Sequence, residues 1–210
     1  MHNIKNHLWP ELPTYDELVF NIILVYGWAT PKEHDNGLKW YKRARRSARA
    51  MARDMGIPMR HAVGAIAATS PNLAWSRNVK TARQVVQGYL AGVTPEDIKG
   101  CCAYPAMRSK AYAILQGPNR SKAVLRTLNG PKISAFFDNI MGGDSVTVDG
   151  HARNIAYFKH QPIKNMTLGK AEYKRISLAY RDAASVLGLK ACDLQAITWT
   201  AWRRHHGIKV

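Results

Sequence analysis

The sequence predicts an all-α fold, and three observations support this prediction. In most segments apolar residues recur every three or four positions, which is the spacing of one face of a helix. Glycine and proline stand between these segments and end them. No two neighbouring segments alternate apolar and polar residues as paired strands do. The length of 210 residues suits one domain, 1–210, built from two helical lobes.

The first two predicted helices have a capping signal and a basic face. Thr14 and Glu17 have the capping-box spacing, so TYDELVFNIILVYGWAT predicts a first helix that begins after Thr14. The stretch from Gly37 to Met55 predicts a second helix, apolar on one side and basic on the other. The basic face consists of Lys39, Lys42, Arg46, Arg49 and Arg53. We expect only Asp54 to offset these charges, so a polyanion would relieve their mutual repulsion.

The next segment places polar and basic residues around a Pro-broken loop. PMRHAVGAIAAT predicts a short, closely packed helix, SPNLAWS breaks it, and RNVKTARQVVQGYLAG resumes a helix. The loop and the helix after it contain Asn72, Trp75, Arg77, Asn78 and Lys80. One interpretation is a capped helix with Trp75 in the core. The other is a loop that inserts into a DNA duplex while the helix contacts phosphates.

A helical hairpin is predicted over residues 121–141, after a short helix around Arg108 to Leu115. The pattern indicates a helix over SKAVLRTL, a tight turn at NGPK and a second helix over ISAFFDNIMGG. A plain helical hairpin is one interpretation. The other is a helix-hairpin-helix, in which backbone amides around Asn129 and Gly130 bind a phosphate at the start of the second helix. Lys132 would then lie at that start.

The stretch DSVTVDGHARNIA, residues 144–156, places Asp149 where it can cap a following helix. Capping alone is one interpretation of this acid. The other is catalytic, because Lys132 lies seventeen residues earlier and one helix with a short return can bring both side chains to one cleft. An amine and a carboxylate in a shared cleft suit covalent or general-base chemistry at a sugar carbon. Two more helices, divided at GLKACDL, complete the chain from Thr167 to about His206.

Composition favours a nucleic-acid partner and excludes several other classes. The chain carries 31 Lys and Arg against 14 Asp and Glu, a formal net charge of +17, which favours double-stranded DNA over a membrane surface. Three cysteines, with Cys101 and Cys102 adjacent, indicate a reducing, cytoplasmic setting. The start MHNIKNHLWPELP lacks a signal-peptide core, and no apolar run is long enough to cross a membrane.

We expect no metal, no cofactor and a monomeric protein. The histidines near the two chain ends lack metal-ligand spacing with cysteines or acids. They are His2, His7, His205 and His206.

Four stretches, in their order along the chain, resemble the HhH-GPD superfamily of DNA glycosylases over roughly residues 60–158. They are AVGAIAATSPNLAWSRNVKTA, RSKAYAIL, LNGPKISAFF and VTVDGHARNIA. The resemblance implies a two-lobed helical fold with a helix-hairpin-helix, to which residues 1–59 and 159–210 add flanking helices. It implies that Asp149 is the catalytic acid and Lys132 the lyase lysine, and that His151 and Arg153 lie at the DNA. LNGPK is shorter than the family's Leu-Pro-Gly-x-Gly hairpin, and the four-cysteine iron–sulfur motif of one branch is absent.

Three functions follow from the resemblance and the charge. The first is an enzyme that cleaves the N-glycosidic bond of a base flipped out of DNA, with or without a Lys132 Schiff base. Two further stretches, Gly37 to Arg53 and LQAITWTAWRR, are similar to parts of small phage-encoded, glycosylase-like proteins. This likeness implies a second function, which such a protein would perform in the host cytoplasm. That function is the transfer of an amino acid or amine to activated 5-hydroxymethyluracil in DNA. The third is DNA binding without catalysis.

Overall fold

The computed structural model describes residues 12–98, 100, 102, 104–163 and 166–208. Within them there are ten helices and no strand, so the all-α prediction is confirmed. The helices are α1 Tyr15–Gly27, α2 Pro31–Asp54, α3 Met59–Thr69, α4 Trp75–Leu90, α5 Pro105–Gln116, α6 Ser121–Leu128, α7 Pro131–Met141, α8 Gly150–Ala156, α9 Lys170–Val186 and α10 Ala191–His205. Residues 1–11 lie outside the described residues, and so does Cys101. The prediction that the chain start lacks a signal-peptide core concerns these residues, which include His2 and His7.

Capping boxes fix the starts of the first two helices. The Thr14 hydroxyl accepts from the Glu17 amide at 3.3 Å, and Glu17 accepts from the Thr14 amide at 2.6 Å, as the sequence predicts. Helix α2 begins at Pro31, six residues before the predicted start at Gly37. A second capping box causes this difference, because Thr30 and Glu33 pair in the same way and proline suits the first helical position.

The hairpin α6–α7 has the predicted form of helix, tight turn and helix. Asn129 adopts a left-handed conformation, with φ of 44°, and ends α6. Gly130 follows as the N-cap of α7, and Pro131 is that helix's first residue. The Lys110 amine donates to the Leu128 carbonyl at 2.6 Å, so a cation stabilises the carboxyl end of α6.

Buried apolar side chains form two clusters. The first apolar cluster is built from α2 to α7 and includes Tyr41, Ile66 and Phe137. The second apolar cluster is built from α1, α8, α9 and α10 and includes Tyr180 and Trp202. The chain therefore leaves the second cluster after α1, completes the first cluster, and returns to the second through α8. No helix in the described ranges is both long and apolar enough to span a membrane.

Helices α2 and α10 pack closely and join the two clusters. A Cβ atom on Gly37 would lie 2.3 Å from Cγ1 and 2.9 Å from Cα of Ile197, so only glycine fits this crossing. One turn earlier in α2, Glu33 accepts from Arg204 Nε at 2.8 Å. Arg204 also donates to the Trp28 carbonyl at 2.7 Å, which ties the end of α1 to the same place.

Replacing Gly37 with alanine should destabilise the protein by about 1–3 kcal/mol, because the new methyl group meets backbone atoms that cannot move aside easily. This outcome reverses the usual preference for alanine inside a helix. Urea denaturation followed by circular dichroism measures the change. The control is Gly27→Ala, since a Cβ at Gly27 has no neighbour within 4 Å. Wild-type stability of the Gly37 variant would contradict the close crossing.

Candidate active site at the start of helix α8

The chain enters the site through an extended segment, residues 145–148, that runs between the two apolar clusters. Val146 and Val148 are buried in the second cluster. Thr147 points the other way, and its hydroxyl lies 3.1 Å from that of Tyr41 in the first cluster. This alternation explains the strand-like VTV pattern, although no strand forms among the described residues.

Two side chains take the place of a partner strand. The Tyr173 hydroxyl donates to the Val146 carbonyl at 2.7 Å and accepts from the Val148 amide at 3.3 Å. The Asn139 side chain donates to the Ser145 carbonyl and accepts from the Ser145 amide, both at 2.7 Å. These bonds satisfy backbone groups of the segment and hold it against α7.

The bonds between Asn139 and Ser145 hold the start of the extended segment against the end of α7. Lys132, near the start of α7, and Asp149, just after the segment, are both half-buried.

Two neutral donors hold the Asp149 carboxylate. Its Oδ1 accepts from the Ala152 amide at 2.8 Å, so Asp149 caps α8 as predicted. Its Oδ2 accepts from the Trp199 indole N–H at 3.1 Å. None of the ion pairs in the described part of the chain includes Asp149. The negative charge of Asp149 is therefore positioned without being neutralised by an arginine or lysine partner.

Two nitrogen groups beside this carboxylate lack hydrogen-bond partners among the residues that the structure describes. His151 is buried, its ring meets that of Trp199 edge-on at 5.9 Å, and its Nδ1 has no hydrogen-bond partner. Arg203 stacks its guanidinium over Trp199 at 4.2 Å, and its buried Nε also lacks a partner. A bound ligand could satisfy both nitrogens.

The pKa of His151 reports on the charges around it. Burial lowers this pKa below its usual value, and the negative charge of Asp149 opposes the shift. The positive charges of Arg203, His160 and Lys132 lower the pKa further. Burial, which is the largest of these effects, favours the neutral form of the imidazole.

Neither of two surface cavities is the cleft that the sequence predicts. The larger, of about 380 Å³, lies between α7 and α9 and includes Asp138 and Arg181 in its lining. The smaller, of about 230 Å³, lies beside Asn72. Asp149 and Lys132 line neither cavity. No group of three or more His, Cys, Asp or Glu side chains in the described ranges is arranged to hold a metal ion.

Three of the predicted DNA-contacting residues are used inside the fold. Asn78 is only 2% exposed, and its side chain bonds to the Thr69 hydroxyl at 2.8 Å and the Ile66 carbonyl at 3.1 Å. Trp75 begins α4 and packs against the first cluster, with its ring 5.4 Å from that of Trp40. The Asn78 side chain is therefore used inside the protein, while Trp75 is half-buried and packs on the first cluster, as the core interpretation of that residue describes.

Arg153 is the third of these residues. Its guanidinium pairs with Glu172 at 2.7 Å, donates to Gln161 at 3.0 Å and stacks over Tyr157. These contacts occupy the group that would otherwise bind a phosphate.

Of the other predicted contacts, His151 is buried and the rest stay at or near the surface. Asn72 is exposed in a left-handed turn with φ of 59° and donates to the Tyr104 hydroxyl, while Arg77 lines the smaller cavity and Lys80 is exposed. Asn129 is exposed and Gly130 half-buried at the hairpin turn.

The basic face of α2 is exposed along its length, but the prediction that only Asp54 offsets its charges is wrong. Lys39 pairs with Asp35 one turn earlier, at 2.5 Å, and Arg53 lies 3.5 Å from Asp54. Arg83, from α4, also reaches Asp54 at 3.0 Å. In the part of the chain that the structure describes, three members of the face have no ion pair. They are Lys42, Arg46 and Arg49.

Trp199 and Arg203 are site residues that sequence reasoning missed. They stand four positions apart on α10, fifty or more residues from Asp149, and nothing in their own pattern separates them from core and surface residues of an amphipathic helix. Their place in the site follows from the packing of α10 against α8.

Changing the charges beside His151 should move its pKa in opposite directions. Lys132→Gln removes a positive charge that lowers the pKa of His151, so the pKa should rise. Asp149→Asn removes a negative charge that raises it, so the pKa should fall further. Imidazole resonances followed by NMR during a pH titration measure both shifts, with His151→Asn assigning the signal. Lys122→Gln, on the exposed side of α6, is the control; an unchanged pKa in the Lys132 variant would place that amine away from the ring.

Comparison with known proteins adds a family and no function. The family described as Family of unknown function (DUF7178) matches residues 10–206. No curated protein matches the chain, and no solved structure matches it. Because the family match covers nearly the whole chain, this protein belongs to the DUF7178 family.

Proposed function

We propose that this protein is a DNA-binding enzyme that acts on a nucleotide flipped out of the duplex and cleaves its N-glycosidic bond. The observation that carries the proposal is the geometry at the start of α8, where two neutral donors hold Asp149 beside buried nitrogens of His151 and Arg203 that have no partner among the described residues. The helical hairpin α6–α7, with Lys132 near the start of α7, further supports the likeness to HhH-GPD glycosylases.

Asp149 supplies the negative charge in this reaction. Positive charge develops on the sugar as the glycosidic bond lengthens, and a fixed carboxylate stabilises it. Because Asp149 is held by the indole of Trp199 and a backbone amide, its charge remains available to the substrate. When water attacks the sugar carbon, Asp149 accepts the proton and the base departs.

Lys132 supplies an alternative nucleophile. Attack of its neutral amine on the same sugar carbon forms a C–N bond as the base departs, and Asp149 accepts the amine's proton. Opening of the sugar ring at its C1′–O4′ bond then gives a Schiff base, from which strand cleavage can follow. His151 is neutral at pH 7 and its Nδ1 is unpartnered, so it can bond to the sugar or the base without adding charge.

A flipped base needs room beside Asp149 that neither cavity provides. Trp199 is half-buried and is held to the carboxylate by one hydrogen bond and to Arg203 by stacking. We therefore assign it the movement that opens the site, which binding energy from the DNA backbone would drive. The Ala152 amide then holds the carboxylate while the indole is displaced.

Arg203 favours a second candidate, a transfer reaction at the 5-methylene of a flipped uracil. In that reaction pyrophosphate leaves, an amine takes its place, and Asp149 accepts the amine's proton. An anionic leaving group requires cations near the acid, and Arg203 and Lys132 meet that requirement.

Asp149→Asn should lower product formation by at least about 100-fold while leaving DNA affinity unchanged, because asparagine still caps α8 but cannot take a proton. Mass spectrometry of nucleosides from treated DNA identifies the product: a free base for cleavage, a heavier thymidine for transfer. In the cleavage case, borohydride should trap wild-type protein on abasic DNA but not Lys132→Gln.

The matched controls are Asp16→Asn, an exposed acid in the first turn of α1, and Lys122→Gln in the hairpin. Both should behave as wild type. Unmodified DNA after incubation with the intact protein would leave DNA binding without catalysis as the function. Loss of DNA affinity in Asp149→Asn would return the acid to a purely structural role.

Removing charge from the basic face should weaken duplex binding and its dependence on salt. If Arg46 and Arg49 each contact a phosphate, replacing both with glutamine should reduce the slope of log affinity against log salt by about two. Fluorescence anisotropy at several salt concentrations measures the slope. Lys170→Gln with Lys174→Gln removes the same charge from exposed positions on α9, and an equal loss there would argue against a specific role of the basic face.

A further inference from the structure

One face of α10 leads away from the candidate active site. Trp199, Trp202, Arg203 and His206 are spaced three, four and seven positions apart, so they share a face of the helix. At one end of this face Trp199 donates to Asp149. At the other end Trp202 and His206 pack against further rings, 4.2 Å apart from each other between centroids.

These rings form a continuous aromatic cluster of Trp28, Phe158, His160, Trp202, His205 and His206. Trp202 is buried, and the exposed rings of Phe158, His160 and His205 form the aromatic surface of this cluster. Trp28 stacks on His205 at 4.2 Å and on Trp202 at 5.9 Å. His160 stacks on His206 at 4.2 Å. Phe158, His160 and His205 are exposed, so flat rings reach the solvent at three places.

Phe158 holds its ring in solvent at the expense of backbone geometry. Its φ of 48° lies in the left-handed region that glycine or asparagine usually occupies after a helix. The side chain is 45% exposed and touches Trp28 and Trp202 only edge-on, at 5.6 and 6.3 Å. An exposed phenyl ring on an unfavourable backbone suggests a role other than stability.

We propose that this aromatic surface stacks the unpaired bases of a DNA strand that passes the candidate active site. The inference rests on the proposed function and deepens it, because it names DNA with an unpaired stretch as the substrate class. Bases stack on flat rings regardless of sequence, while nearby cations follow the phosphates. Lys159 is exposed beside Phe158, and Arg203 lies on the same face of α10 as the rings.

The chemistry of the rings favours bases over a lipid or an apolar protein partner. Five of the six rings in the cluster are imidazoles or indoles, which have polar edges. The chain's net charge of +17 points to a polyanion as well. Nucleobases linked by phosphates match both properties.

The test uses the full chain, with Phe158→Gly and Phe158→Trp as variants. The probe is a fluorescein-labelled thymidine oligonucleotide of about 16 nucleotides, compared with a blunt duplex of the same length. Phe158→Gly should bind the single strand roughly 5- to 100-fold more weakly, and Phe158→Trp should bind it as the wild type does. The duplex affinity should not change in either variant.

Thermal denaturation separates this role from a structural one. Glycine relieves the backbone at this position, so the melting temperature of Phe158→Gly should equal or exceed that of the wild type. A lower melting temperature, unchanged single-strand affinity, or equal loss for strand and duplex would each overturn the inference. Asp149→Asn should keep single-strand affinity while losing product, so failure of the proposed chemistry and failure of the aromatic surface give different results.

Discussion

The arrangement of the site depends on an extended segment that has no partner strand. Its backbone groups must be satisfied where it runs between two apolar clusters, and the side chains of Asn139 and Tyr173 do this. The alternation of Val146, Thr147 and Val148 fixes its register, because a slip of one residue would move the buried Thr147 hydroxyl away from Tyr41 and turn both valines out of the second cluster. The position of Asp149 follows from that register.

The electrostatics of the site are unusual for so basic a chain. In the described part of the chain, arginine and lysine pair with acids elsewhere, on Glu33, Asp35, Asp54 and Glu172. Asp149 is held by neutral donors instead, with a neutral imidazole and the cations of Arg203 and Lys132 around it. Such a group keeps its charge and its position at the same time, which is what stabilising a transient cation requires.

Features set by neighbouring residues could be predicted from the sequence, and features set by packing could not. The capping box at Thr14, the turn at Asn129 and the N-cap at Asp149 each depend on a few adjacent residues. The contact between Trp199 and Asp149 depends on how α10 crosses α8, which local pattern does not encode.

The sequence also did not show which polar residues on amphipathic helices are buried and which are exposed. Asn78 precedes a basic helical stretch, as a DNA ligand would, yet it bonds to the end of α3. A sequence pattern gives the period of a helix but not the depth at which each face lies.

The bond network at Glu33 limits how the chain can vary in length. The Glu33 carboxylate caps the start of α2 and pairs with Arg204 near the end of α10. Arg204 also donates to the carbonyl of Trp28, the residue that follows α1. Three helix ends are therefore locked to one another through the short connection from α1 to α2. An insertion or deletion in that connection would pull Trp28 out of the ring stack, so relatives that keep the stack must keep this connection at its present length.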